Sequence, residues 1–182
     1  YSIPGGSGNS IAAAAASACA AAAATAAAAL ASEVDAAAAR EDAELKSACA
    51  AALFNLALDA HNCGAMIESG ALPPILRLAH RGTSMQTKVQ CMAILQRMLA
   101  APELPEQVRS SALVETLVSL SRLDHGPTQH RCVIAMHRLS CWEDGRRLLL
   151  ADGAAAAQLV RLLSQPSEQV RRGCAATLCN LG

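Results

Sequence analysis

Three close pairs of histidine and cysteine are the residues whose types and spacing could do chemistry: His61-x-Cys63, His130-x-Cys132 and His137-x3-Cys141. A thiolate beside an imidazole makes a nucleophile pair, and both side chains are metal ligands. A structural zinc site needs a second close-spaced couple of cysteines, which none of the three pairs has. No P-loop, Gly-x-Gly-x-x-Gly or His-Glu-x-x-His pattern accompanies them. The acidic pairs Glu41-Asp42 and Glu143-Asp144 stand at expected helix starts, where a carboxylate stabilises the positive end of the helix dipole. The basic pairs Arg146-Arg147 and Arg171-Arg172 are too sparse for a nucleic-acid stripe. The expectation is a chain with no catalytic residue, no cofactor and no metal.

Composition narrows the class further. The 182 residues carry 15 basic and 15 acidic side chains, and aromatics make up 2% (Tyr1, Phe54, Trp142). Nucleic-acid binding by stacking needs aromatic faces and a positive field, and neither is present in bulk. Forty-two alanines hold down the hydrophobic drive of a chain that is nominally 53% apolar. The eight cysteines sit inside apolar helical patterns, and the opening residues Tyr1 to Gly6 have no basic n-region. They are therefore expected as buried free thiols of an intracellular, reducing compartment, the cytoplasm, with cytoskeletal or ciliary placement as a narrower option. Opening on Tyr1 and stopping within a helical pattern, the chain reads as a piece of a longer protein.

The elements that must position these residues follow from composition and period. Residues 1–10 are rich in Gly, Ser and Pro and read as a flexible entry; residues 11–40 are alanine-rich and read as low-complexity helix. The charge-free stretch 11–30 has the length of a bilayer span. Only Ile11 and Leu30 pull strongly toward lipid, and anchors are missing on both flanks, so no membrane span is expected. Residues 36–58 read as a helix with Leu45, Cys49, Leu53 and Leu56 on one face. Beyond it the chain repeats. Cys49…Leu53…Leu56, Cys91…Leu95…Met98, Cys132…Met136…Leu139 and Cys174…Leu178…Leu181 start 42, 41 and 42 residues apart. A second ladder, Ile75/Leu78, Leu117/Leu120 and Leu159/Leu162, has a spacing of 42. Each unit reads as a short helix, a bend at Gly70 or Gly153, a middle helix, a polar loop (81–87, 124–128, 164–168) and a longer third helix. No such unit buries its apolar faces alone, so units must stack.

The bend Gly70-Ala71-Leu72-Pro73-Pro74 and the third-helix pieces Ala52-Leu53-Phe54-Asn55-Leu56 and Cys174 to Leu181 resemble armadillo repeats over about residues 41–182. The middle unit departs most, with Ser111-Ala112 at the bend. The resemblance implies an all-α, right-handed superhelix of three-helix repeats: a third helix over 41–58, repeats over 59–100 and 142–182, and a degenerate repeat over 101–141. It also implies that third helices line a concave groove that binds extended segments of proteins. Side chains two before and two after each core Leu or Met would project there: Ala51 and Asn55, Ala93 and Arg97, Ile134 and Arg138, Ala176 and Asn180. Amides can bond a peptide backbone, and the arginines favour carboxylates or phosphates. The alternative is that Asn55 and Asn180 satisfy local backbone groups while the arginines are solvated. Placed away from the core, both arginines are expected to leave stability untouched.

Nuclear-import adaptors of the importin-α type are similar in fold but pair the asparagine with a tryptophan four residues earlier. Ala51, Ala93, Ile134 and Ala176 stand there instead, so a basic cargo loses its cation–π walls. The expected function is a non-enzymatic protein-interaction scaffold or adaptor for an extended or helical segment, an acidic one being favoured. The alternatives are a structural component of a large cytoskeletal or ciliary complex, and the substrate-binding region of a U-box ubiquitin ligase. Trp142, after a third helix, is expected to close the core between repeats.

Overall fold

Helices are the only regular elements that the repeating 3- and 4-residue apolar spacing can build, and the structure follows that pattern. It is a computed structural model, and it describes residues 8–40, 43–80, 84–100, 108–151 and 153–182, with the backbone alone for 8–16 and 37–40. Ten helices occur among the described residues: α1 (Gly8–Arg40), α2 (Ala43–Leu56), α3 (Ala60–Glu68), α4 (Leu72–His80), α5 (Met85–Met98), α6 (Ser111–Ser121), α7 (Gly126–Ser140), α8 (Glu143–Leu150), α9 (Ala154–Leu162) and α10 (Glu168–Leu181). Of the flexible entry expected over residues 1–10, Gly8, Asn9 and Ser10 are instead the first residues of α1, continuous with the alanine-rich helix; the remainder, the pair Glu41-Asp42 and the residues between Ala100 and Val108 lie outside the described residues.

The three polar loops are shorter than expected. Thr87, Thr128 and Glu168 belong to helices, because the residue just before each helix caps it. Ser84 Oγ accepts from Thr87 N at 3.1 Å, His125 Nδ1 from Thr128 N at 3.3 Å, and Ser167 Oγ from Val170 N at 3.4 Å. A cap of this kind satisfies one of the donors that a helix start leaves open. Gly70 (φ 76°) and Gly153 (φ 70°) take the left-handed conformation that the two bends require. The middle unit lacks that glycine; there Ser110 caps α6 by accepting from Leu113 N at 3.3 Å.

Both sequence ladders lie in the core. Cys49, Cys91, Cys132 and Cys174 are all buried, as are Ile75, Leu117 and Leu159 of the second ladder. The third helices α2, α5, α7 and α10 pack on one another in that order. The second helices α4, α6 and α9 form a parallel row, each lying against the third helix of its own unit. Gly145 lets α8 sit on the end of α7: a Cβ there would fall 2.0 Å from the Leu139 carbonyl oxygen.

The alanine-rich helix has a defined place. One face of α1, carrying Ala23, Ala27 and Val34 with Leu30 partly covered, packs against α2, α3 and α4. Asp35 on α1 pairs with Arg77 on α4, 42 residues later. The end of α1 thus stands toward α2 and α4 as a second helix stands toward its own third helix and the next unit. Ser17–Ala36 is long and apolar enough to cross a membrane by length and composition. Here that stretch covers the first face of the stack.

Candidate binding groove

The outward faces of α2, α5, α7 and α10 form rows that run across the stack. One row is Ala51, Ala93, Ile134 and Ala176. Ala51 is half-buried, Ala176 is exposed, Ala93 is nearly closed off at 7%, and Ile134 stands out at 37%. Ala93 therefore supplies floor and not a reaching side chain. The second row is Asn55, Arg97, Arg138 and Asn180, all exposed except the half-buried Arg138.

The second row has a role that residue spacing does not reveal. Arg97 Nη1 donates to the Leu58 carbonyl at 3.3 Å, and Arg138 donates to the Leu99 and Ala100 carbonyls at 2.9 and 3.3 Å. Asn180 Nδ2 donates to Ser140 Oγ at 2.9 Å. Each of these side chains reaches back across the junction to the end of the preceding third helix. Helix ends leave carbonyls without intrahelical partners, and α2, α5 and α7 have no glycine to turn those carbonyls inward. Arg138 also lies over the Trp142 ring, 5.6 Å from its centroid, and the indole packs against the core as expected. The expectation that the two arginines leave stability untouched is thus corrected: they tie neighbouring units together. The missing glycines were the signal in the sequence.

A second set of caps crosses the short turns. Asn62 donates to Leu56 O at 3.1 Å, Gln129 to Leu123 O at 2.9 Å, Arg146 to Ser140 O at 3.2 Å and Arg171 to Gln165 O at 2.8 Å. The two basic pairs therefore divide their labour. Arg146 caps the end of α7 and Arg171 ties down the turn after α9 through the Gln165 and Pro166 carbonyls, while Arg147 pairs with Glu143 and Arg172 with Glu168 one turn back.

The histidine–cysteine pairs do not assemble a nucleophile. Cys63 Sγ donates to the Ala57 and Asp59 carbonyls, while His61 is exposed beside Asp59. Cys132 Sγ faces the Met92 sulfur at 3.3 Å, and Cys141 Sγ donates to the His137 carbonyl and not to its ring. Burial pushes the Cys91 thiol up to about 12 and Cys174 to about 11, and raises Cys49, Cys63 and Cys132 as well. Such thiols stay protonated and inert. Among the described residues no three His, Cys, Asp or Glu side chains converge on a metal position.

Between α5 and α7 the groove holds a hollow of about 210 Å³, bounded by Gln96, Leu99, Ala100, Ile134, Ala135 and Arg138. A larger hollow of about 670 Å³ opens between the second helices α4 and α6, beside Leu72, Leu76, Arg77 and Thr116, away from both rows.

No family model matches the sequence, and no curated protein matches it. Solved structures do. A computationally designed armadillo repeat protein for modular peptide recognition superposes with a TM-score of 0.68 at 23% identity, over 83% of this chain and 62% of its own. The chain has the armadillo-repeat fold. A designed armadillo repeat protein in complex with the peptide (KR)4 gives 0.66 at 20% identity, over 84% of this chain and 63% of its own. The armadillo solenoid is an all-α, right-handed superhelix, and here its alanine-rich first helix extends the stack. The chain spans less than two thirds of the length of these proteins.

Proposed function

We propose that this protein is a non-enzymatic scaffold that binds a segment of a partner polypeptide along the groove of α2, α5, α7 and α10. The observation that carries the reading is the floor row, where three of the four positions are alanine and only Ile134 is bulky. A floor of small side chains lets a peptide backbone come close to the helices, and the flanking row of Asn and Arg supplies donors for its carbonyls. The armadillo neighbours designed for peptide recognition support the same use of this face. Eight unpaired thiols, five of them buried, support a reducing intracellular setting.

Leu150, Val160 and Leu163 on the last unit are exposed, and they favour a second reading. In it the chain is a structural brick, of a cytoskeletal or ciliary assembly for example, held through that end as well as the groove.

Selection of binders from a random-peptide display library, followed by NMR shift mapping on the full chain, tests the groove. Selected peptides should shift amide resonances on α2, α5, α7 and α10. Shifts confined to α4, α6 and α9, or a selection that yields no binder, would contradict the reading.

A further inference from the structure

The last unit departs from a pattern that the two before it keep. Val160 on α9 falls at the repeat position of Leu76 and Val118, and Leu163 at that of Ala79 and Ser121. The four earlier residues are at most 7% exposed, whereas Val160 is 57% and Leu163 36% exposed. On α10, Ala175 is exposed at the position of Met92 and Val133, which are fully buried. The cover over the earlier positions comes from the next unit. Gln158 of α9 donates to the Ser121 carbonyl at 3.2 Å. Val133 enters the recess left by Gly173 of α10, where a Cβ would fall 2.6 Å from its Cγ1. The charges of the last unit are already engaged or stand at its edge. Arg171 bonds the Gln165 and Pro166 carbonyls, and Arg172 pairs with Glu168. Arg161 holds the position of Arg77 and Ser119, a place that stays in water in both earlier units. A repeat that ends a stack in water carries a polar outer face, and this one keeps its aliphatic residues.

We propose that the outer face of α9 and α10 is where a second copy of this chain stacks, with α9 of each copy over α10 of the other. The pairing continues the junction between units: Val160 and Leu163 meet the small Ala175, as Val133 meets Gly173. The opposite end of the stack cannot supply the matching surface, because α1 covers it. Between residues 17 and 36 of α1 the exposed side chains are Ala, Ser, Thr, Cys, Glu and Asp, without a large aliphatic among them. The same face therefore meets itself, and a self-complementary contact closes at two copies. Two short helices a side make a small interface, so the pair is weak, with a Kd of about 10–100 µM. At about 1 µM the copies are apart and the face is in water. This gives the structural-brick reading above its partner at one end, and it does not depend on the groove.

The test is sedimentation equilibrium on the full chain from about 1 to about 500 µM, where the weight-average mass should rise from one chain to two and stop there. Val160→Lys should raise the Kd at least about tenfold, because pairing would bury its charge. Its melting curve at about 1 µM, unchanged from that of the parent chain, shows that the fold is intact. Met85→Lys alters a residue that is 46% exposed away from this face, and it should leave the Kd unchanged. An equal loss in both variants overturns the assignment, since it marks unspecific apolar contact. Amide shifts between dilute and concentrated protein should lie on α9 and α10; shifts confined to α2, α5 and α7 would overturn it as well. A chain that stays single at about 500 µM, or an assembly that grows past two copies, overturns the pairing and leaves the groove reading standing.

Discussion

Arg138 shows how one residue can serve two scales at once. Its guanidinium caps Leu99 and Ala100, stacks on Trp142, and contributes charge to the groove edge. A charge-assisted hydrogen bond is worth more than a neutral one, and an aromatic neighbour adds to it. Arg138→Ala should therefore lower the unfolding free energy by about 1–2 kcal/mol in chemical denaturation. Arg97→Ala, with one longer bond at an exposed site, should cost less than about 1 kcal/mol. Equal and negligible losses would show that the caps between units are not formed. The contact itself was illegible in the sequence, because it joins residues 38 and 39 positions apart and depends on how far one unit is rotated on the next. The open helix ends without glycine marked the need for a donor, and nothing in the sequence said which residue would meet it.

At the scale of the element, the same repeat position meets different fates. Leu76, Val118 and Val160 occupy one place on α4, α6 and α9, each 42 residues from the next. Leu76 and Val118 are 7% and 5% exposed beneath the following unit, whereas Val160 is 57% exposed at the end of the row. A buried unpaired charge is costly, and the long stem of an exposed lysine simply enters water. Val118→Lys should thus lower the melting temperature by many degrees or abolish cooperative unfolding, and Val160→Lys should leave it nearly unchanged. A similar loss in both would mean that the last unit's outer face is covered. The third-helix and second-helix ladders were readable from period alone, since equal helical units stacked in register require an aliphatic residue at the same place in each. Alanine gave no such guidance for α1: with nearly every side chain the same, only Leu30 and Val34 distinguish the packed face from the exposed one. Loop ends are hard to place for a related reason, because Thr87 and Thr128 are polar yet lie in first helical turns under capping residues.

Across the whole molecule, stability is a chain of neighbour contacts, as in any solenoid: α1 on the first unit, then each unit on the next. The face proposed for a partner is a by-product of that stacking, because third helices held side by side must leave one surface outward. That the two rows Ala51, Ala93, Ile134, Ala176 and Asn55, Arg97, Arg138, Asn180 belong to the third helices could be read from spacing; their surroundings could not, since Ala93 is nearly closed off and the arginines fasten neighbouring units. Everything about binding depends on the side-by-side placement of third helices 41 or 42 residues apart. That placement puts the Met92 thioether of α5 against the Cys132 thiol of α7, with the sulfurs 3.3 Å apart. A NOESY spectrum of the methyl-labelled protein reads this contact without any substitution. The stack predicts a cross-peak from the Met92 methyl to the Cys132 β-protons, forty residues away. A Met92 methyl whose cross-peaks stay within its own helix and α4 would contradict it.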